Sequence, residues 1–167
     1  LSHKLNTIFD HQINKQFVYK VLKHINTMKY IEIFKGMDSI LEELKNTGYR
    51  LSMISNMMLP GELLLEKLRK NNILHYFSTV CISSDAGFIK PHKNIFLLTL
   101  EKDGLLPEEV VFVGDTYSQD IVGAKNAGMR TVWLNSRHES IEFKEAADYE
   151  IHSLKELEEL WGFTRSP

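Results

Sequence analysis

Between residues 50 and 151 the chain repeats one pattern, a short apolar run followed by a longer amphipathic stretch. The apolar runs lie at 50–55 (RLSMIS), 79–83 (TVCIS), 110–113 (VVFV), 131–134 (TVWL) and 149–151 (YEI). Helix-like stretches lie at about 38–47, 61–71, 92–103, 118–127 and 153–161. Strands separated by helices cannot pair as tight hairpins. Each must cross over, so they run parallel with the helices covering the sheet. The predicted class is therefore α/β, a Rossmann-like core with a parallel sheet and flanking helices. Gly48 and Gly128 each follow a helix-like stretch, where a left-handed C-terminal cap belongs.

The first 35 residues contain no Gly and no Pro. Leu5, Phe9, Ile13, Phe17, Val21, Ile25 and Met28 recur at near-helical spacing, which predicts one or two helices. Residues 1–33 are expected to form a separate helical piece, and residues 34–167 the α/β core. A net charge of -2 offers nothing to draw nucleic acid or an anionic membrane. No apolar run reaches membrane-span length, and no charged start precedes an apolar run. The single cysteine, Cys81, sits in an apolar run and reads as a reduced core thiol of a cytoplasmic protein.

In open parallel sheets ligands bind beyond the carboxyl ends of the strands. Ser55 and Asn56 follow the run at 50–55, "SSDAGFIKP" with Lys90 follows 79–83, and Gly114-Asp115 follows 110–113, with Asp120 five residues on. Each has an ordinary explanation when taken singly: a turn, a solvated lysine, a helix cap. Together, at successive strand ends, they make a phosphate-plus-Mg²⁺ site. The hydroxyl and adjacent amides donate to phosphoryl oxygens, the ammonium offsets their charge, and carboxylates hold a hard cation.

The stretches "LSMISN", "KP" within "GFIKPHKNIF", and "VVFVGDTYSQDIVGAKNAGM" resemble the second, third and fourth motifs of the haloacid dehalogenase-like hydrolases. The resemblance runs from about residue 31 to 162. It implies that Ser55 binds the transferred phosphoryl group with the Asn56 region, and that Lys90 steadies nucleophile and phosphate. It further implies that Asp115 ligates Mg²⁺ and that Asp120 is a second ligand or a support behind the first. Residues 1–30 would then resemble the last helices of a helical cap. Retention of Gly114-Asp115 favours the phosphatase branch over the dehalogenases, with a small phosphorylated metabolite as substrate.

The same resemblance implies a first motif, Asp-x-Asp on a central strand, that supplies the nucleophile and a general acid. It is not found here. Asp10 in "TIFDHQIN" is the candidate within the chain, but Gln12 stands where the second acid belongs and helical spacing runs straight through. The expectation is that the nucleophile comes from outside residues 1–167, by a preceding segment or a second chain that completes the sheet. This chain alone would then be inactive. The alternatives are a catalytically inactive phosphate-binding or interaction module, a dehalogenase-type hydrolase, and a receiver-like signalling domain. The seven histidines read as surface or capping groups, with His92 placed to start a helix. Met53, Met57 and Met58 read as core packing, and Trp161 as the anchor of a final amphipathic helix.

Overall fold

Among the described residues every strand runs parallel to its neighbours, as the alternating pattern requires. The computed structural model describes residues 37–157. The expectations for a helical piece at 1–33, for Asp10 and for Trp161 lie outside the described residues. Helix α1 (Met37–Asn46) leads into β1 (Leu51–Ser55), then α2 (Gly61–Lys70), a 3₁₀ turn (Leu74–Tyr76) and β2 (Phe77–Ile82). A short α3 (Ser83–Ala86) precedes α4 (Lys93–Asp103), a second 3₁₀ turn (Pro107–Glu109) and β3 (Val111–Gly114). The chain continues through a π-helical turn (Tyr117–Ile121), α5 (Val122–Asn126), β4 (Arg130–Leu134), β5 (Tyr149–Ile151) and a last 3₁₀ turn (Leu154–Glu156).

The strands form two ladders. β1 pairs with β2, and β4 lies between β3 and β5. Among the described residues no ladder joins β1 to β3, so each presents an unpaired edge. Apolar packing unites the two halves. Buried Ile95, Phe96 and Leu100 of α4 pack with Cys81 from β2 and with Ala124, Ala127 and Met129, and Ile54 of β1 and Phe112 of β3 pack against the same cluster. Ile95 and Phe96 have no exposed surface, and each such side chain stabilises the fold by about 1.5–3 kcal/mol. A second cluster of Leu41, Leu64, Leu68, Ile73 and Ile82 packs α1 and α2 on the first ladder. A third joins Tyr117, Ile121 and Trp133.

Local sequence explains the boundaries. Gly128 takes φ +89°, and the Gly128 and Met129 amides donate to the Lys125 and Ala124 carbonyls (2.9 and 3.1 Å), closing the helix end. His92 begins α4 as expected: its Nδ1 accepts from the Asn94 amide at 3.2 Å, and its ring stacks on Phe88. Asp103, the last residue of α4, accepts from Ser52, Ser78 and Thr79 (2.6, 3.1 and 2.7 Å), pinning the helix to the first ladder.

The second ladder is held by Asp148, which accepts from Lys125 Nζ at 2.5 Å and from the Thr131 amide at 2.8 Å. Burial pushes this carboxyl up, but the hydrogen bonds from Lys125 and Thr131 outweigh it and leave the pKa lowered. Four features differ from the sequence reading. The stretch 118–127 opens with a π-turn in which the Val122 amide donates to the Tyr117 carbonyl. Within 153–157 the helix is a 3₁₀ turn. α3 was not expected. Met53 and Met57 pack in the second cluster, whereas Met58 is 80% exposed because it follows the strand end, past the helices that cover the ladder.

Candidate functional site

The carboxyl ends of β1 and β3 and the loop after α3 converge on Lys90. Its Nζ donates to Asp120 Oδ1 at 2.5 Å and to the Ile54 carbonyl at 3.2 Å. It also lies 5.9 Å from the centre of the Phe112 ring. The side chains of Lys90 and Asp120 are only 11% and 5% exposed. A buried ammonium is tolerable only when paired, and here a carboxylate and a main-chain oxygen satisfy it from opposite half-sheets.

Asp120 reaches this position because the π-turn folds back over the end of β3. Its amide donates to the Thr116 carbonyl at 2.7 Å, and its Oδ2 accepts from the Thr116 amide at 3.0 Å. Gly114 makes room: a Cβ there would overlap the Cβ and carboxyl of Asp120. π-Turns of this kind are frequent at functional sites.

Asp115 has the opposite environment. Its side chain is exposed and its carboxylate makes a 3.5 Å contact from the Thr116 hydroxyl. Its carbonyl accepts from Trp133 Nε1 at 3.1 Å, which anchors the strand end on the fully buried indole. Of the two acids, Asp115 is open to a cation, while both oxygens of Asp120 are committed. No cluster of three or more histidine, cysteine or acidic side chains stands ready to hold a metal among the described residues. Mg²⁺ does not require one, because it keeps several waters and takes one or two carboxylates together with substrate phosphate oxygens. The exposed Asp115 carboxylate, completed by waters and phosphate oxygens, fits that donor set.

Ser55 is half-buried at the end of β1, and its hydroxyl has no hydrogen-bond partner among the described residues. Asn56 is engaged throughout. Its Oδ1 accepts from the Lys90 amide (2.8 Å), and its Nδ2 donates to the Lys90 carbonyl and to Gln119 Oε1, each at 3.0 Å. Gln119 and Trp133 are not singled out by any motif. The one signal for Gln119 is its place immediately before Asp120. The adjoining Ser83 hydroxyl accepts from the Met57 amide and donates to its carbonyl (2.8 and 3.1 Å), tying the loop after β1 to α3.

The arrangement therefore offers a free hydroxyl, a buried ammonium and an open carboxylate on one edge. Comparison with known proteins identifies the family. The family model described as "Haloacid dehalogenase-like hydrolase" matches residues 2–134. A glyceraldehyde 3-phosphate phosphatase from Methanothermobacter thermautotrophicus is 42% identical over 103 residues, 62% of this chain and 45% of that protein. One from Pyrococcus furiosus is 35% identical over 142 residues, 82% of this chain and 58% of that protein. A phosphoserine phosphatase from Thermus thermophilus is 30% identical over 125 residues, 75% of this chain and 49% of that protein. The chain thus spans about half the length of these relatives. Among solved structures, a HAD phosphatase from Thermococcus onnurineus superposes with a TM-score of 0.71 at 32% identity, covering 96% of this chain and 70% of its own. A 2-haloacid dehalogenase from Pseudomonas syringae gives 0.68 at 30% identity, covering 79% and 54%.

Proposed function

This chain belongs to the haloacid dehalogenase-like hydrolase family, and on that premise we propose that its strand-end cluster is the phosphate- and metal-binding part of a phosphatase acting on a small phosphorylated metabolite. The observation that carries the reading is the placement of Lys90, buried and bridging Asp120 to the end of β1, with the exposed Asp115 carboxylate just past the end of β3. Ser55 would donate its free hydroxyl to a phosphoryl oxygen, and Lys90 would offset the charge. Asp115 would hold Mg²⁺, which when bound neutralises charge on the phosphoryl group. Asp120 would act from behind, by holding Lys90. The named phosphatases among the relatives support this class of substrate, and the Asp115 carboxylate favours it over dehalogenation.

The chemistry needs one further group. A carboxylate oxygen attacks phosphorus, the bond to the leaving oxygen breaks, and water then cleaves the aspartyl-phosphate, releasing phosphate and restoring the carboxylate. We assign that nucleophile to a strand from outside residues 1–167. Among the described residues β1 and β3 each lack a partner on one side, and Ile54 and Phe112 of these strands pack on the same core cluster, which supports this assignment. The same unpaired sides also favour a second reading for the isolated chain, that of a module which binds phosphate and Mg²⁺ without turnover.

Calorimetric titration of residues 1–167 with orthophosphate, with and without Mg²⁺, together with assay of small phosphomonoesters, tests the proposal. Mg²⁺ should tighten phosphate binding, Asp115→Asn should abolish that gain, and no phosphate should be released. Failure to bind phosphate under either condition would overturn the site. Steady hydrolysis lost in Asp10→Asn would overturn the outside nucleophile and place it at Asp10.

A further inference from the structure

The Asn56 side chain has no donor left for a substrate. Both N–H groups of its amide are spent, on the Lys90 carbonyl and on Gln119 Oε1, and its oxygen already accepts from the Lys90 amide. What remains is a lone pair, which a phosphate oxygen would repel. The side chain therefore has a role other than contact with phosphate, and the phosphate contact expected of the Asn56 region falls to its backbone amide.

We infer that Asn56 is a positioning residue that holds Lys90 in place across the two half-sheets, with Gln119 as its partner. The hydrogen bonds form a closed circuit. Asn56 grips both main-chain polar groups of Lys90, in the manner of a strand neighbour, and so fixes the root of that side chain. The other end of Lys90, its Nζ, is fixed by the Ile54 carbonyl and by Asp120. Asp120 is covalently next to Gln119, and Gln119 returns to Asn56. This circuit spans the ends of β1 and β3, which share no ladder among the described residues, so it supplies the registration that main-chain pairing supplies elsewhere in a sheet.

The residue type follows from the geometry. Asp at position 56 would keep the acceptor for the Lys90 amide but would set a carboxylate against two oxygens. Gln would place the same amide one methylene too far along. Ala would remove all three bonds and leave the Lys90 main chain to water. The inference rests on the phosphate-site reading only for its functional consequence. The clamp itself is a property of the chain alone.

Two measurements on residues 1–167 test it. In hydrogen exchange, Asn56→Ala should accelerate the Lys90 amide by about tenfold or more, the loss of one well-formed hydrogen bond. Ile95 within α4 should be unchanged. An unchanged Lys90 amide, or uniform acceleration across α4, would overturn the clamp. In orthophosphate titration, Asn56→Ala should weaken binding about tenfold in the wild-type background and have no further effect in Lys90→Ala, because the first change acts through the second. Gln119→Ala should reproduce a smaller part of the loss with the same non-additivity. Equal losses in both backgrounds would mean that Asn56 acts on phosphate directly and would overturn the inference. If the wild type does not bind orthophosphate while the Lys90 amide is still released by Asn56→Ala, the clamp stands and the phosphate reading fails.

Discussion

Replacing Asp120 by alanine removes the one carboxylate that faces Lys90 at 2.5 Å. The ammonium, 11% exposed, would be left with the Ile54 carbonyl, and the Thr116 amide would lose its acceptor. Breaking a buried pair from one side costs about 3–5 kcal/mol. The retained bond to Ile54 argues for the lower end, about 3 kcal/mol. With a urea m-value of roughly 2 kcal/mol/M, the unfolding midpoint should fall by about 1.5 M. Fluorescence reports the transition, because Trp133 is fully buried. Adding Lys90→Met should restore much of the loss, since an apolar side chain no longer needs a counter-charge, giving a coupling of about 2 kcal/mol. A midpoint shift below about 0.5 M, or strictly additive effects in the double variant, would show that water solvates the pair and would refute the account of a buried bridge.

Gly114→Ala should cost about 1–3 kcal/mol in the same experiment, because the new methyl overlaps Asp120 and must displace it. Retention of wild-type stability would mean that the π-turn relaxes freely. Acid should weaken the fold through Asp148, whose lowered pKa makes its contribution complete above the ordinary carboxylate value and lost as pH falls through the folded one. Asp148→Asn should therefore lower stability at neutral pH and flatten the fall below about pH 4, as thermal melts at stepped pH would show.

Much of this arrangement is legible in the sequence. The five strands and the helices between β1 and β4 fall within a few residues of their apolar runs, since strand and helix periods are local properties of side chains. Ser55, Asn56, Lys90, Asp115 and Asp120 follow from the rule that polar residues at parallel strand ends share one edge, and hydrogen bonds join three of them, Asn56, Lys90 and Asp120. How they divide the work is not legible. Asn56 clamps Lys90 through contacts 34 residues away in sequence, and no period or composition marks such a pairing. Asp115 and Asp120 look alike in "GDTYSQD", yet one is open and the other committed, because the π-turn that separates them depends on packing of Tyr117 and Ile121 against Trp133. Met58 reads as core from its neighbours and is exposed, because it stands past the end of β1 rather than on it.

The split between the two ladders also bears on how the chain is made. The β1–β2 ladder is complete once residue 82 has been synthesised, whereas the second cannot form before β4, more than forty residues later. A two-stranded parallel ladder is marginal alone, and until α4 arrives its apolar face is available to any other extended chain. Synthesis through the 83–103 interval is thus the period of greatest aggregation hazard. Chaperone capture of nascent chains should concentrate there.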